Sequence, residues 1–167
     1  MPPASLVALS ESPKSPMASS VRVRVALTTE ADVRLASEQG RKLASRLDFS
    51  PTDITVIAAA IAEVARNIVQ YAQHGDILLH LIRRPNSQGL GIVARDRGPG
   101  IGDVEEAIRD GKGLGLATTR RLMDEFRIRS APGRGTTVTM RKWTTQCRQV
   151  ERAGARRDGH AGMREVR

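Results

Sequence analysis

Two pairs of short strand-like runs, each joined by a brief polar loop, constrain this chain most. Residues 77–82 and 90–95 are separated by the stretch 84–89, and residues 127–130 and 136–143 by Ala131-Pro132-Gly133-Arg134-Gly135. Loops of that length and composition make hairpins, whereas a parallel crossover needs a dozen or more residues. The second half of the chain therefore predicts antiparallel strands. Ahead of them, Val21-Arg22-Val23-Arg24-Val25 alternates with period two and reads as a half-buried strand. Residues 30–47 read as a helix with Val33, Leu35, Ala36, Leu43, Ala44 and Leu47 as its apolar positions. Ser50-Pro51-Thr52-Asp53 supplies an N-cap, a proline at the first helical position and a capping acid. The helix it starts runs to about Gln73, where Gly75-Asp76 turns the chain. A last helix is expected over 116–125. The fold class is α+β: a two-layer α/β sandwich whose mostly antiparallel sheet is covered on one face by helices.

Composition sets the remaining bounds. The 167 residues suit one domain. Only 2% are aromatic (Trp143, Tyr71, Phe49 and Phe126), so Ala, Val, Ile and Leu must build the core. The same scarcity argues against stacking on single-stranded nucleic acid. A net charge of +9 favours anionic partners without choosing among them. That charge is uneven. Residues 1–20 hold Lys14 and Glu11 alone and read as a disordered leader, while residues 148–167 hold six arginines against three acids. The expected layout is a leader over 1–20, a folded domain over 21–146 and an unstructured basic tail over 147–167. A lone cysteine, Cys147, excludes an internal disulfide and a Cys-built zinc site. His74, His80 and His160 are scattered and suggest no site. No apolar run approaches the roughly 18 residues of a membrane span, and no signal peptide is apparent, so a cytoplasmic location is expected.

On a helical wheel, Ile54, Ile57, Ala58, Ile61, Val64, Ala65 and Ile68 form one stripe of the long helix. Glu63 and Asn67 share the opposite side, one turn apart, flanked by Val56, Ala59 and Ala60 rather than by the charges of a solvated face. A loop or a ligand should cover them. Three glycine clusters follow. Asp96-Arg97-Gly98-Pro99-Gly100-Ile101 ends a strand, where close backbone can approach a planar ligand and the Asp can accept from a base amine. Gly111-Lys112-Gly113-Leu114-Gly115-Leu116 opens into a helix, as phosphate-binding segments do. Gly133-Arg134-Gly135-Thr136 turns into the final strand with a hydroxyl at its start. Two other nucleotide motifs are excluded. A P-loop would need glycine at Glu106, and a dinucleotide fingerprint would need it at Asp103.

In order, E-x-x-x-N, D-x-G-x-G, G-x-G-L-G-L and G-x-G-T form a constellation that resembles the GHKL (Bergerat-fold) ATPases. The resemblance covers residues 21–143 and looks most like the RsbT-type serine/threonine kinases of stressosome and partner-switching modules. It implies ATP and Mg²⁺ as cofactors, with Glu63 as general base and Asn67 as the Mg²⁺ ligand. Asp96 then matches the acceptor of the adenine amine, and Gly98, Gly100 and Ile101 the backbone closing on adenine. Gly113 and Gly115 match the ATP lid hinge and its phosphate contacts, with Leu114 and Leu116 in the same cofactor-binding segment, and Thr136 a hydroxyl near adenine. Lys112, inside that glycine box, narrows the pattern as a point charge within reach of a phosphate. The lid between Ile101 and Gly113 is short. STAS-domain antagonists and co-antagonists and a PP2C-type phosphatase or other downstream regulator are the implied partners, with no membrane or nucleic acid. An anti-sigma factor that sequesters a sigma factor is the alternative. Arg120 and Arg121, just after the phosphate segment, are candidates for contact with an acidic substrate face.

Overall fold

The computed structural model describes residues 21–109 and 115–144. The leader, the tail, and Lys112, Gly113 and Leu114 lie outside the described residues. The elements run β1 (Arg22–Leu27), α1 (Glu30–Ala44), α2 (Pro51–Asn67), a π-helical turn (Ile68–Ala72), β2 (Gly75–Arg84) and β3 (Ser87–Asp96). Then follow α3 (Val104–Arg109), α4 (Leu116–Leu122), β4 (Glu125–Ser130) and β5 (Thr136–Trp143). One five-stranded sheet, ordered β1-β2-β3-β5-β4, pairs antiparallel throughout. Both hairpins form where the turn residues place them. The first is tighter than the loop 84–89 suggests, because Arg84 already pairs with Ser87.

Helices α1 and α2 cover one face of the sheet. Leu27, Ile77, Leu79, Leu90, Ile92 and Met140 are fully buried from the strands, with Ile57 and Ile61 from α2. Phe49, 7% exposed, is the one buried aromatic side chain among the described residues, so the core is aliphatic as the composition requires. Gly40 sets the spacing of the two helices, since a Cβ there would run into the Ile61 side chain. Thr29 caps α1: its backbone N–H donates to Asp32 Oδ2 at 2.8 Å, and its hydroxyl accepts from Asp32 N–H. The cap of α2 is the expected one, with Ser50 Oγ accepting from Asp53 N–H at 3.1 Å and Pro51 in the first turn.

Four local expectations need correction. First, α1 stops at Ala44, and Leu35 is 45% exposed because it projects from the solvent side of the helix. Second, α2 does not run on as α-helix to Gln73. It loosens into the π-helical turn after Asn67 and ends on Gln73 in the left-handed region, φ 64°. Ala60 also packs into the core rather than flanking Glu63. Third, part of the short lid is helical: α3 starts where Asp103 Oδ1 accepts from Glu106 N–H at 2.8 Å. Fourth, α4 ends at Leu122, and the chain enters β4 at Glu125, which pairs with Arg141.

The sheet has two unlike ends. Gly75, Asp96, Thr136 and Ser130 gather at one. At the other, Val21 C=O accepts from Leu81 N–H at 3.2 Å and Thr144 N–H donates to Gln88 C=O at 2.9 Å. Both limits of the described domain therefore leave from the second end.

Candidate functional site

A cavity of about 320 Å³ opens at the first end, between α2 with its π-helical turn, the strand ends and the loop after β3. Val64, Ile68, Ala94, Ile128 and Val138 form apolar walls, while Asn67, Asp96 and Thr136 are its polar groups. A slot of this kind suits a flat, largely apolar ring that is fixed by a few hydrogen bonds.

Asp96 is oriented by its own backbone surroundings. Its Oδ1 accepts from Gly98 N–H at 2.8 Å and from Thr136 N–H at 3.1 Å. Oδ2 is left to accept from a ligand, since no described group donates to it. An acceptor-only carboxylate in that position reads an amine rather than a carbonyl. Glycine is required at the loop crossings around it. Gly135 has φ +72°, and a Cβ there would meet the Asp96 carbonyl, while one at Gly100 (φ +73°) would meet the Ala131 carbonyl. The first and third glycine clusters thus pack on each other, tied by Gly133 N–H to Pro99 C=O at 2.7 Å. Ser130 locks the same corner: its hydroxyl accepts from Ile101 N–H at 2.8 Å and donates to Gly135 C=O at 3.0 Å.

Glu63 and Asn67 lie one turn apart on α2, as the wheel requires. Asn67 lines the cavity; Glu63 stands beside it, adjacent in sequence to Val64. The Glu63 carboxylate rests against Gly115, the residue that opens α4 at φ +57°, and a Cβ there would collide with it. Arg66 pairs with Glu63 at 3.5 Å and with Glu30 at 3.7 Å. The start of α4 is therefore what covers the polar side of α2.

Of the residues singled out from sequence, Asn67, Asp96, Gly100, Ile101, Leu116 and Thr136 line the cavity. Gly98 adjoins it through its bond to Asp96, and Glu63 and Gly115 meet just outside the lining. Sequence reasoning missed Tyr71, which follows Asn67 by four residues and stands 47% exposed at the mouth. It also missed Ser130 and the apolar walls. The spacing from Asn67 would have pointed to Tyr71 had the helix been followed past its core stripe.

Residues 25–142 match the model of a family described as the histidine kinase-like ATPase domain. The chain belongs to that family. This ATPase domain is 40% identical over 125 residues to "Serine/threonine-protein kinase RsbT" of Bacillus subtilis (strain 168), covering 71% of this chain and 94% of the relative. It is 30% identical over 112 residues to an "Anti-sigma F factor" of Caldanaerobacter subterraneus subsp. tengcongensis, covering 60% and 77%. Among solved structures, the histidine kinase domain of the Erythrobacter litoralis EL346 blue-light activated histidine kinase is similar at TM-score 0.49 and 18% identity, covering 71% of this chain and 67% of that one. No described helix is long and apolar enough to cross a membrane.

Proposed function

We propose that the protein is an ATP- and Mg²⁺-dependent serine/threonine protein kinase of a bacterial partner-switching module. The observation that carries this reading is the pairing of Asp96, its Oδ2 open toward an apolar slot, with Glu63 and Asn67 one helical turn apart beside it. The likeness to the kinase of Bacillus subtilis supports the same reading. When bound, ATP with its metal supplies the γ-phosphoryl group. Asp96 accepts from the adenine amine, and Thr136 adds a hydroxyl beside it. Asn67 offers an amide oxygen, a hard ligand fit for a metal held mainly by phosphates and water. Glu63 takes the proton of the attacking hydroxyl. Gly115 and Leu116, with Lys112, Gly113 and Leu114, form the phosphate-binding segment.

The proposed substrates are STAS-domain antagonists and co-antagonists, and the proposed downstream target is a PP2C-type phosphatase, all in the cytoplasm. Similarity to anti-sigma F factors favours one second reading, a sigma-sequestering kinase. Incubation of the protein with ATP, Mg²⁺ and purified STAS and sigma candidates from neighbouring genes separates them. Phosphoserine or phosphothreonine on a STAS protein without retention of sigma supports the first reading. Stable sigma binding in the presence of nucleotide supports the second, and no transfer to any STAS protein overturns both.

A further inference from the structure

The face of the sheet turned away from α1 and α2 carries no described helix. Seven arginines, Arg22, Arg24, Arg84, Arg95, Arg127, Arg129 and Arg141, project from it by strand alternation against two carboxylates, Asp76 and Glu125, and Arg84 is held by Glu125 at 2.6 Å. Those carboxylates are already engaged, Asp76 with Arg24 at 3.7 Å and Glu125 with Arg141 at 2.7 Å. Arg95, Arg127 and Arg129 have no carboxylate within ion-pair distance among the described residues. With Thr137, Thr139 and Arg141 they line a depression of about 590 Å³, whose carboxylates, Asp124 and Glu125, are held by Lys142 and by Arg84 and Arg141. In register, Arg95 and Arg129 flank Thr137, and Thr139 lies between Val93 and Arg127. A face built only for the stability of this chain would set opposite charges across neighbouring strands. Asp76 opposite Arg95 and Glu125 opposite Arg141 follow that rule, whereas at Arg127 and Arg129 only the hydroxyls of Thr139 and Thr137 stand opposite. Toward β1 the same face holds Leu78 and Val93, paired across the strands and half-buried with nothing described above them.

We propose that this open face docks an acidic, partly apolar surface of another protein, on the side of the sheet opposite the nucleotide cavity. An apolar centre beside a polar rim is the anatomy of a protein interface, and unpaired guanidinium groups give it sign and steering. A second copy of this chain is disfavoured, because facing sheets would bring the same arginines together. The chain's own outer segments match no better: residues 1–20 hold the single acid Glu11, and residues 145–167 hold three acids against six arginines. Nucleic acid would meet the arginines with its phosphates but leave the Leu78–Val93 pair without an apolar partner.

The test is a titration of the ¹⁵N-labelled full chain with a helical 20-residue peptide carrying leucines on one face and glutamates elsewhere. A DNA duplex of 20 base pairs is titrated in parallel. Amide shifts should fall on Leu78, Val93, Arg95, Arg127 and Thr139 while Asn67, Gly98 and Gly100 stay still, and binding should weaken with salt. The variant R95E/R127E/R129E should lose about tenfold or more in peptide affinity and keep its ATP affinity. The triple glutamine variant, which removes charge without reversing it, should fall between. Peptide binding unchanged in both variants, or shifts confined to the cavity, overturns the proposal. DNA binding tighter than peptide binding, or a dimer in sedimentation that the triple reversal abolishes, also overturns it. Phosphotransfer to STAS candidates is read separately, so failure here leaves the kinase reading standing.

Discussion

Asp96 does two jobs with its two carboxylate oxygens, and a conservative substitution separates them. In Asp96→Asn the amide oxygen can keep the Gly98 and Thr136 bonds, which turns its NH₂ toward the ligand amine. ATP affinity measured by calorimetry should fall by roughly 1.5 to 3 kcal/mol with the fold intact. Comparable affinity of the native protein for ATP and GTP would sink the assignment. Glu63 and Asn67 should part company in the opposite sense. Glu63→Ala should bind ATP nearly as the native protein does and transfer phosphate roughly 10² to 10⁴ times more slowly. Asn67→Ala should lose Mg²⁺-dependent binding and transfer together. Equal losses of ATP affinity in both variants would make Glu63 a structural acid, held for its contact with Gly115 and Arg66.

Capping links the first helix to solution pH. Backbone and side-chain donors of Thr28 and Thr29 lower Asp32 from its ordinary 3.8 to about 2. A depressed carboxylate stabilises the folded state above its unfolded pKa and loses that effect as pH falls through the folded one. Asp32→Asn should therefore lower Tm at neutral pH. The gap between native and variant should hold down to about pH 4 and close toward about pH 2 in thermal melts. A gap that is constant with pH would assign the effect to packing. Elements of this kind were legible in sequence because their signals are local: Ser50-Pro51 announces α2, and Ala131-Pro132-Gly133 announces the second hairpin. The π-helical turn was not, because it depends on what it packs against, and α3 was not because it is a helix of six residues with a cap at Asp103 but no buried apolar stripe to announce it. The site divides the same way. Asp96, Gly98, Gly100 and Thr136 sit in short motifs whose backbone geometry only certain residues allow. Ala94, Ile128 and Val138 are ordinary core residues by composition, and only the assembled sheet shows that they also wall a cavity. Ser130 reaches Ile101 across 29 positions, a distance no local pattern spans.

At the scale of the whole molecule, two basic surfaces stand out among the described residues, the arginines of the open sheet face and the exposed Arg120 and Arg121 on α4. If α4 guides the phosphoacceptor, R120E/R121E should slow transfer to a STAS substrate several-fold at low salt and leave ATP binding alone. The difference should shrink as salt screens the native contact. Undiminished transfer would move substrate docking elsewhere. The polarity of the sheet has a practical consequence as well. Since Val21 and Thr144 both emerge at the far end from Asp96 and Thr136, a fluorescent protein or a surface tether joined directly at either residue starts from the end of the sheet away from the cavity mouth. Protein anchored at Val21 or Thr144 should bind ATP with the same affinity as protein free in solution, so one immobilised preparation can serve to watch partners arrive on either surface while the nucleotide exchanges unhindered.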